Sequence, residues 1–292
     1  MKKILVTGAK GQLGTELRRL TRGRVSFIFT DIAAEEGIEA LDICNEKGVR
    51  EFVEKHDIGT VVNCAAFTDV EGAEDRKELC MKINVDGPSA LAKAAKEAGA
   101  ALVQISTDFV FDGLRKRGGY TEKDKTNPLS VYGLSKDISE QELRKIGSRG
   151  VIIRTAWLYS PYGKNFCKTM LRLGSTRDEI SVVADQIGSP TYAADLAKAI
   201  LKIIPQIGDR KMEIYHFSNE GKCSWQEFAS KIMLAAGLKC KVSPIASADY
   251  PQKAQRPAYS YLSKEKIKSD FGVEVPEWKE SLEACLRRKF TK

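Results

Sequence analysis

Short apolar runs alternate with amphipathic stretches through the first half of the chain. Ile4-Leu5-Val6 is the first run, and Val25 to Phe29, Thr60 to Ala66, Ala101 to Ile105 and Gly150 to Thr155 repeat it. Continuous apolar runs of this length mark strands buried on both faces of a parallel sheet. Between them lie stretches of helical period: Leu13, Leu17 and Leu20, then Glu46 to Lys55, the alanine-rich Val85 to Ala98, and a helix entered after Asn127-Pro128-Leu129. Strands and helices alternating from residue 4 to residue 155 predict an α/β fold built on a doubly wound parallel sheet.

Beyond residue 156 the pattern is less regular. A helix over Ala193 to Ile204 and a strand over Glu213 to Ser218 are expected to return to the sheet. Phe166 to Leu173 and Trp225 to Ala236 read as amphipathic helices, and Arg256 to Ser260 as irregular. This predicts a first domain over residues 1–156 plus about 193–218, and a smaller α/β substrate lobe over 157–192 and 219–292. There is no internal repeat and no low-complexity segment.

Composition narrows the class. A chain of 292 residues with 42% hydrophobic and 29% charged residues has the profile of a globular protein with an ample core. Its 47 basic and 39 acidic residues give a net charge of +8, which suits an anionic small ligand. No basic stretch with interleaved aromatics accompanies that excess, so nucleic-acid binding is not expected. The seven cysteines are scattered without a Cys-x-x-Cys, which reads as reduced thiols in a cytoplasmic protein and not as a disulfide frame or zinc site. No run of about 18 apolar residues is present, so no membrane span is expected. His56, read as a surface residue at a helix end, and His216, in an apolar strand, lack a metal-like pattern.

Three places carry candidate chemistry. Gly8, Gly11 and Gly14 follow the first strand and open the first helix, the context in which glycines let backbone approach a dinucleotide pyrophosphate at a helix N-terminus. The fold is thus expected to be Rossmann-like. Asp31, at the end of the second strand, stands where a carboxylate accepts hydrogen bonds from adenosine ribose hydroxyls, which favours NADH over NADPH without excluding the latter. Asp42 and Ile43 are placed to flank the adenine, and Ala65 and Ala66 leave room for ribose at the end of the third strand. Tyr132 and Lys136, four residues apart, share one face of their helix. An ammonium beside a phenol that ordinarily titrates near ~10 favours the phenolate, making the pair an acid/base unit. Thr107, in Ser106-Thr107-Asp108 at the end of the fourth strand, can reach the same carbonyl oxygen.

Taken together, the glycine turn at 8–14, Asn63-Cys64-Ala65-Ala66, Ser106-Thr107-Asp108 and Tyr132-x-x-x-Lys136 resemble the extended short-chain dehydrogenase/reductases. More narrowly, residues 106–113, 154–159, 165–173, 185–191 and Arg256-Pro257 resemble the dTDP-4-dehydrorhamnose reductase family almost end to end. The resemblance implies reduction of the C4 ketone of a dTDP-sugar by NADH or NADPH. Tyr132 would protonate the alkoxide, Lys136 would lower its pKa and hold the nicotinamide ribose, and Thr107 would bond the reacting oxygen. Gln12 and Leu13 join the glycines on the cofactor, and Thr68 borders the nicotinamide. Val70, Asp108, Trp157, Asn165 and Gln186 would line the sugar side, and Arg256 would face the pyrophosphate. Magnesium aids some members of the family, though no carboxylate cluster here marks a site; a homodimer is an assembly that the resemblance allows.

One departure stands out: the family usually carries a tyrosine where this chain has Phe109. Two other functions stay open at this level. A sugar-nucleotide dehydratase or epimerase shares the fold, but a dehydratase wants a second carboxylate after Asp108. A non-catalytic dinucleotide-binding regulatory subunit also shares it, and the complete Thr107, Tyr132 and Lys136 set speaks against that.

Overall fold

The structure, a computed structural model, describes residues 2–288 and 290. Six strands come first: β1 (Lys3–Thr7), β2 (Phe27–Asp31), β3 (Glu39–Ala40), β4 (Ile58–Asn63), β5 (Ala101–Thr107) and β6 (Gly150–Thr155). With β11 (Glu213–His216) they form one parallel sheet in the order β11-β6-β5-β4-β1-β2-β3. The chain leaves β1 in one direction toward β3 and then resumes on its other side at β4. That reversal opens a crevice at the carboxyl ends of β1 and β4, where ligands of such sheets bind.

Adjacent strand residues explain the unbroken apolar runs. Leu5, Val61, Leu102 and Ile152 face one layer, with α2 (Glu46–Lys55), α5 (Gly87–Glu97) and α6 (Val131–Ile146). Their neighbours Val6, Val62, Val103 and Ile153 face the other, with α1 (Gln12–Leu20) and α8 (Ala193–Ile203). Side chains alternate across a strand, so a sheet covered on both faces needs apolar residues at every position. Helix α10 (Glu265–Phe271) packs Ile267 and Phe271 into this second layer, so the late part of the chain also seals the sheet.

The remaining elements build the smaller lobe. In it β7 (Leu158–Tyr159) pairs with β10 (Thr191–Tyr192), β8 (Glu179–Val183) with β13 (Lys241–Ile245), and β9 (Ile187–Gly188) with β12 (Cys223–Ser224). Tyr159, Phe228, Ile232, Trp278 and Leu282 form its core, on α9 (Trp225–Ala235) and α11 (Trp278–Leu286) with the strand ends. Ser224 and Glu227 make a reciprocal capping box at the start of α9. Among the described residues no helix is long and apolar enough to cross a membrane.

Several boundaries differ from the sequence reading, the third strand among them, which runs Ile58–Asn63 and not Thr60 to Ala66. The second strand begins at Phe27, because Val25 is 93% exposed and precedes the pairing with β1. The helix expected from Val85 starts as a π-helical turn, Lys82–Asp86. Two short helices, α3 (Val70–Asp75) and α4 (Lys77–Met81), fill a stretch to which the sequence reading assigned no element.

Candidate active site

The crevice is a cleft of about 740 Å³ running from the glycine turn to Trp157. Gly8 has φ +65°, and a Cβ there would lie 2.6 Å from the Ala65 nitrogen. A Cβ on Gly14 would lie 2.3 Å from the Gly8 carbonyl oxygen. Both positions therefore require glycine, and Gly14 serves the packing of turn against helix without lining the cleft. Gly11 caps α1 without a side chain, which leaves the first helical N–H groups to a ligand. A tight glycine turn that leaves helix N-terminal N–H groups without a side-chain cap fits a dinucleotide phosphate.

Gln12, Leu13, Asp31, Asp42, Ile43, Ala65, Ala66 and Thr68 all line the cleft. Asp31 accepts hydrogen bonds from the Lys10 and Ile32 backbone N–H groups, each at 2.9 Å, which orients its carboxylate at the crevice edge. Asn63 binds the strand ends together: its Oδ1 accepts from Thr7 at 2.6 Å and from Ala65 N at 3.1 Å, and its Nδ2 donates to Gln104 at 2.8 Å.

The catalytic candidates converge from two elements. Strand β5 ends in Thr107, whose Oγ1 donates to Asp108 at 3.1 Å. Helix α6 presents Tyr132 and Lys136 toward it. Ser130 caps this helix by accepting from Gly133 N at 3.2 Å, and Glu74 of α3 accepts from Val131 N at 2.9 Å. A Cβ on Gly133 would fall 2.3 Å from the Phe109 carbonyl oxygen, so glycine here is what lets α6 approach the Thr107–Phe109 turn. Tyr132 and Thr107 both line the cleft, and the Tyr132 ring meets Phe109 edge-on at 5.6 Å.

The electrostatics correct one expectation. The lowering of Tyr132 by its lysine neighbour does not appear. Burial pushes the Tyr132 phenol up to about 12, the neighbouring Thr107 hydroxyl only partly offsetting it. Lys136, 3% exposed, is pushed down to about 8 by burial. Its ammonium donates to the Ile105 carbonyl at 2.6 Å, anchored on the strand and not on the phenol. Asp108 is buried too, and that pushes its carboxyl up to about 6 against the hydrogen bond from Thr107.

On the sugar side the predicted residues divide. Val70, Asp108, Trp157 and Asn165 line the cleft. Trp157 holds φ +46°, rare for a bulky residue, and its indole stacks on Trp225 at 3.5 Å. Asn165 caps α7 (Phe166–Gly174) through Lys168 N at 3.0 Å, and its amide donates to Gln12 Oε1 at 3.0 Å, bridging lobe and glycine turn. Gln186 and Arg256 are not part of the lining. Gln186 donates to Ser247 Oγ at 3.0 Å, and Arg256 is paired with Glu71 at 2.7 Å. Sequence reading missed Cys44, Ile83, Gly163 and Lys164, which also line the cleft. Ile83 arrives there on the π turn, and Gly163 by φ +62° against the Gln12 side chain. Only the glycine carried a sequence signal.

Comparison with known proteins agrees with this geometry. Residues 1–290 match the family described as the RmlD substrate binding domain. The dTDP-4-dehydrorhamnose reductase of Aggregatibacter actinomycetemcomitans is 40% identical over 293 residues, 97% of each chain. A crystal structure of a dTDP-4-dehydrorhamnose reductase from Clostridium acetobutylicum superposes with a TM-score of 0.91 at 42% identity and covers 98% of both chains. That of the Bacillus anthracis reductase in complex with NADP has a TM-score of 0.87 at 40% identity, covering 98% of this chain and 99% of the other. With residues 1–290 matched by the family and 97% of the chain by a relative at 40% identity, the chain belongs to the RmlD substrate binding domain family.

Proposed function

We propose that this chain is an NAD(P)H-dependent oxidoreductase that reduces the C4 ketone of dTDP-4-dehydro-β-L-rhamnose to give dTDP-β-L-rhamnose. The observation that carries the reading is the convergence of Thr107, Tyr132 and Lys136 in one cleft with the glycine turn. When bound, the reduced nicotinamide supplies the hydride that C4 receives. The chain's own residues do the rest. Thr107 and Tyr132 hold the ketone oxygen, and the Tyr132 hydroxyl gives it a proton as negative charge develops there. A phenol that burial keeps protonated is the right starting state for a donor, and Lys136, bonded to the Ile105 carbonyl beside the cleft, is placed to hold the nicotinamide ribose.

Asp31 supports NADH, and a relative is known with NADP, so both cofactors belong to the proposal. Among the described residues no group of three or more His, Cys, Asp or Glu side chains is arranged to hold a metal, and no step is assigned to magnesium. Residues 1–156 and 193–218 make up the dinucleotide side in this reading, and 157–192 and 219–292 the sugar-nucleotide side, to which Trp157 and Asn165 belong.

The test mixes the protein with NADH or NADPH and dTDP-4-dehydro-6-deoxy-L-mannose and follows the absorbance of the reduced cofactor. Oxidation that depends on the sugar nucleotide is expected. No oxidation with either cofactor overturns the reading.

A further inference from the structure

The cleft is poor in cations. Its lining holds three carboxylates, Asp31, Asp42 and Asp108, against two lysines, Lys136 and Lys164. The net charge of +8 is thus carried elsewhere on the molecule. Lys136 is buried, and its ammonium donates to the Ile105 carbonyl at 2.6 Å. Lys164 is exposed, and among the described residues its side chain has no hydrogen bond or ion pair. Arg256 stands outside the lining, paired with Glu71. The proposed reaction brings two diphosphates into this cleft, one on the cofactor and one on the sugar nucleotide. Phosphate groups are held by cationic side chains as well as by backbone N–H groups, and Lys164 is the free cation at hand.

The loop that carries Lys164 is built against the glycine turn. It runs from Ser160, just after β7, to Asn165, the cap of α7. A Cβ on Gly163 would lie 3.2 Å from Gln12 Cγ, and the Asn165 amide donates to Gln12 Oε1 at 3.0 Å. The residues on both sides of Lys164 thus meet the first residue of α1. The same amide donates to the Ser160 carbonyl at 2.9 Å, and Ser160 Oγ accepts from Tyr162 N at 3.0 Å, which closes the loop on itself. From outside, Arg288 Nη2 donates to the Tyr162 hydroxyl at 2.7 Å while its Nη1 pairs with Glu16, a fully buried carboxylate one turn further along α1. Pinned at Gln12 directly and at Glu16 through Arg288, the loop fixes the Lys164 backbone beside the uncapped N–H groups that open α1.

We propose that Lys164 binds the pyrophosphate of the nicotinamide dinucleotide, reaching it from the sugar-nucleotide side while the glycine turn holds it from the other. The inference rests on the cleft being the dinucleotide site of the proposed function. It commits Lys164 to the cofactor and not to the sugar diphosphate, because both its chain neighbours touch Gln12 at the glycine turn. An ammonium on a flexible stem carries three donors and reaches a phosphate oxygen as a point charge, without the fixed fork that a guanidinium must align.

The experiment measures dissociation constants for NADH and NADPH by the fluorescence of the reduced nicotinamide, without sugar nucleotide, at several potassium chloride concentrations. Wild type, Lys164→Met and Lys164→Arg are compared. Lys164→Met is expected to weaken the tighter-bound cofactor about tenfold at low salt, the worth of a charged hydrogen bond, and to flatten the salt dependence, because an exposed charge is screened. Lys164→Arg keeps the charge and is expected to bind within about threefold of wild type. Binding of dTDP, followed by calorimetry, reports the other diphosphate and should be alike in all three. Unchanged cofactor affinity in Lys164→Met overturns the proposal, and so does a loss confined to dTDP. A loss that Lys164→Arg shares and that salt does not modulate overturns it as well, since that reports loop packing and not charge. Wild-type protein that binds neither NADH nor NADPH removes the dinucleotide site and the proposal with it. Protein that binds the cofactor with these variant and salt effects, yet does not oxidise it with the sugar nucleotide, counts against the proposed reaction alone.

Discussion

The two ends of the cleft are built on different principles. At the cofactor end, the predicted contacts sit within a few residues of a strand end or a helix start. Gly8, Asp31, Ala65, Thr107 and Tyr132 all reach the cleft because a parallel sheet delivers every strand's carboxyl end to one edge. On the sugar side, two of the predicted residues stand outside the cleft lining and are held by partners far away in the chain. Arg256 is tied to Glu71, 185 residues earlier, and Gln186 to Ser247, 61 residues later. Backbone topology places the first group, and side-chain pairing places the second. Substitutions at the cofactor end should therefore act on chemistry, and those at the sugar end on affinity.

The largest effect expected of that contrast is at Tyr132. Tyr132→Phe removes the proton donor but keeps the ring against Phe109. Turnover should fall by roughly 10²- to 10⁴-fold, the range for loss of a general acid. Cofactor binding, followed by fluorescence of the reduced nicotinamide, should stay within about twofold, because the phenol contributes little to the glycine cradle. Unchanged turnover would remove Tyr132 from the mechanism.

Arg256 tests the other end. Its guanidinium is only 27% exposed and faces Glu71, which also accepts from the backbone N–H of Lys253 and Ala254. A carboxylate gripped by two consecutive N–H groups and a guanidinium ties segment 253–256 to α3. If Arg256 also meets the substrate diphosphate, Arg256→Ala should raise KM for the sugar nucleotide about tenfold, the worth of a charged hydrogen bond, with kcat nearly constant. An unchanged KM would leave Arg256 as the partner of Glu71 alone.

The same contrast explains what could be read from the sequence. The helix over Glu46–Lys55 and the strand over Gly150–Thr155 were predicted with the bounds they have, because Asn45 caps the first and continuous apolar residues mark the second. The glycine turn, Tyr132 and Lys136 were legible for the same reason: their geometry is local. The π turn at Lys82–Asp86 was not. It is held by Asn84, which binds the Phe67 backbone at 2.8 and 3.1 Å and Ser135 at 2.9 Å, partners from two other elements. Spacing alone does not fix where the Lys136 ammonium goes, because residues four apart on a helix share a face without having to touch. Burial and the Ile105 carbonyl decide where its ammonium goes.

The smallest expected effect is at Phe109, where the two ends of the cleft meet. Its ring packs edge-on against Tyr132 and lines the cleft, so one residue serves the proton donor and the sugar pocket together. Restoring the hydroxyl usual in the family, by Phe109→Tyr, adds one polar contact worth about 0.5–1.5 kcal/mol. If that contact goes to the sugar, KM falls by roughly two- to tenfold and kcat holds. If the hydroxyl instead bonds Tyr132, it competes with Thr107 for the phenol, and kcat falls while KM holds. Steady-state kinetics separate the two, because the first result places position 109 with the residues that set affinity and the second with those that move the proton.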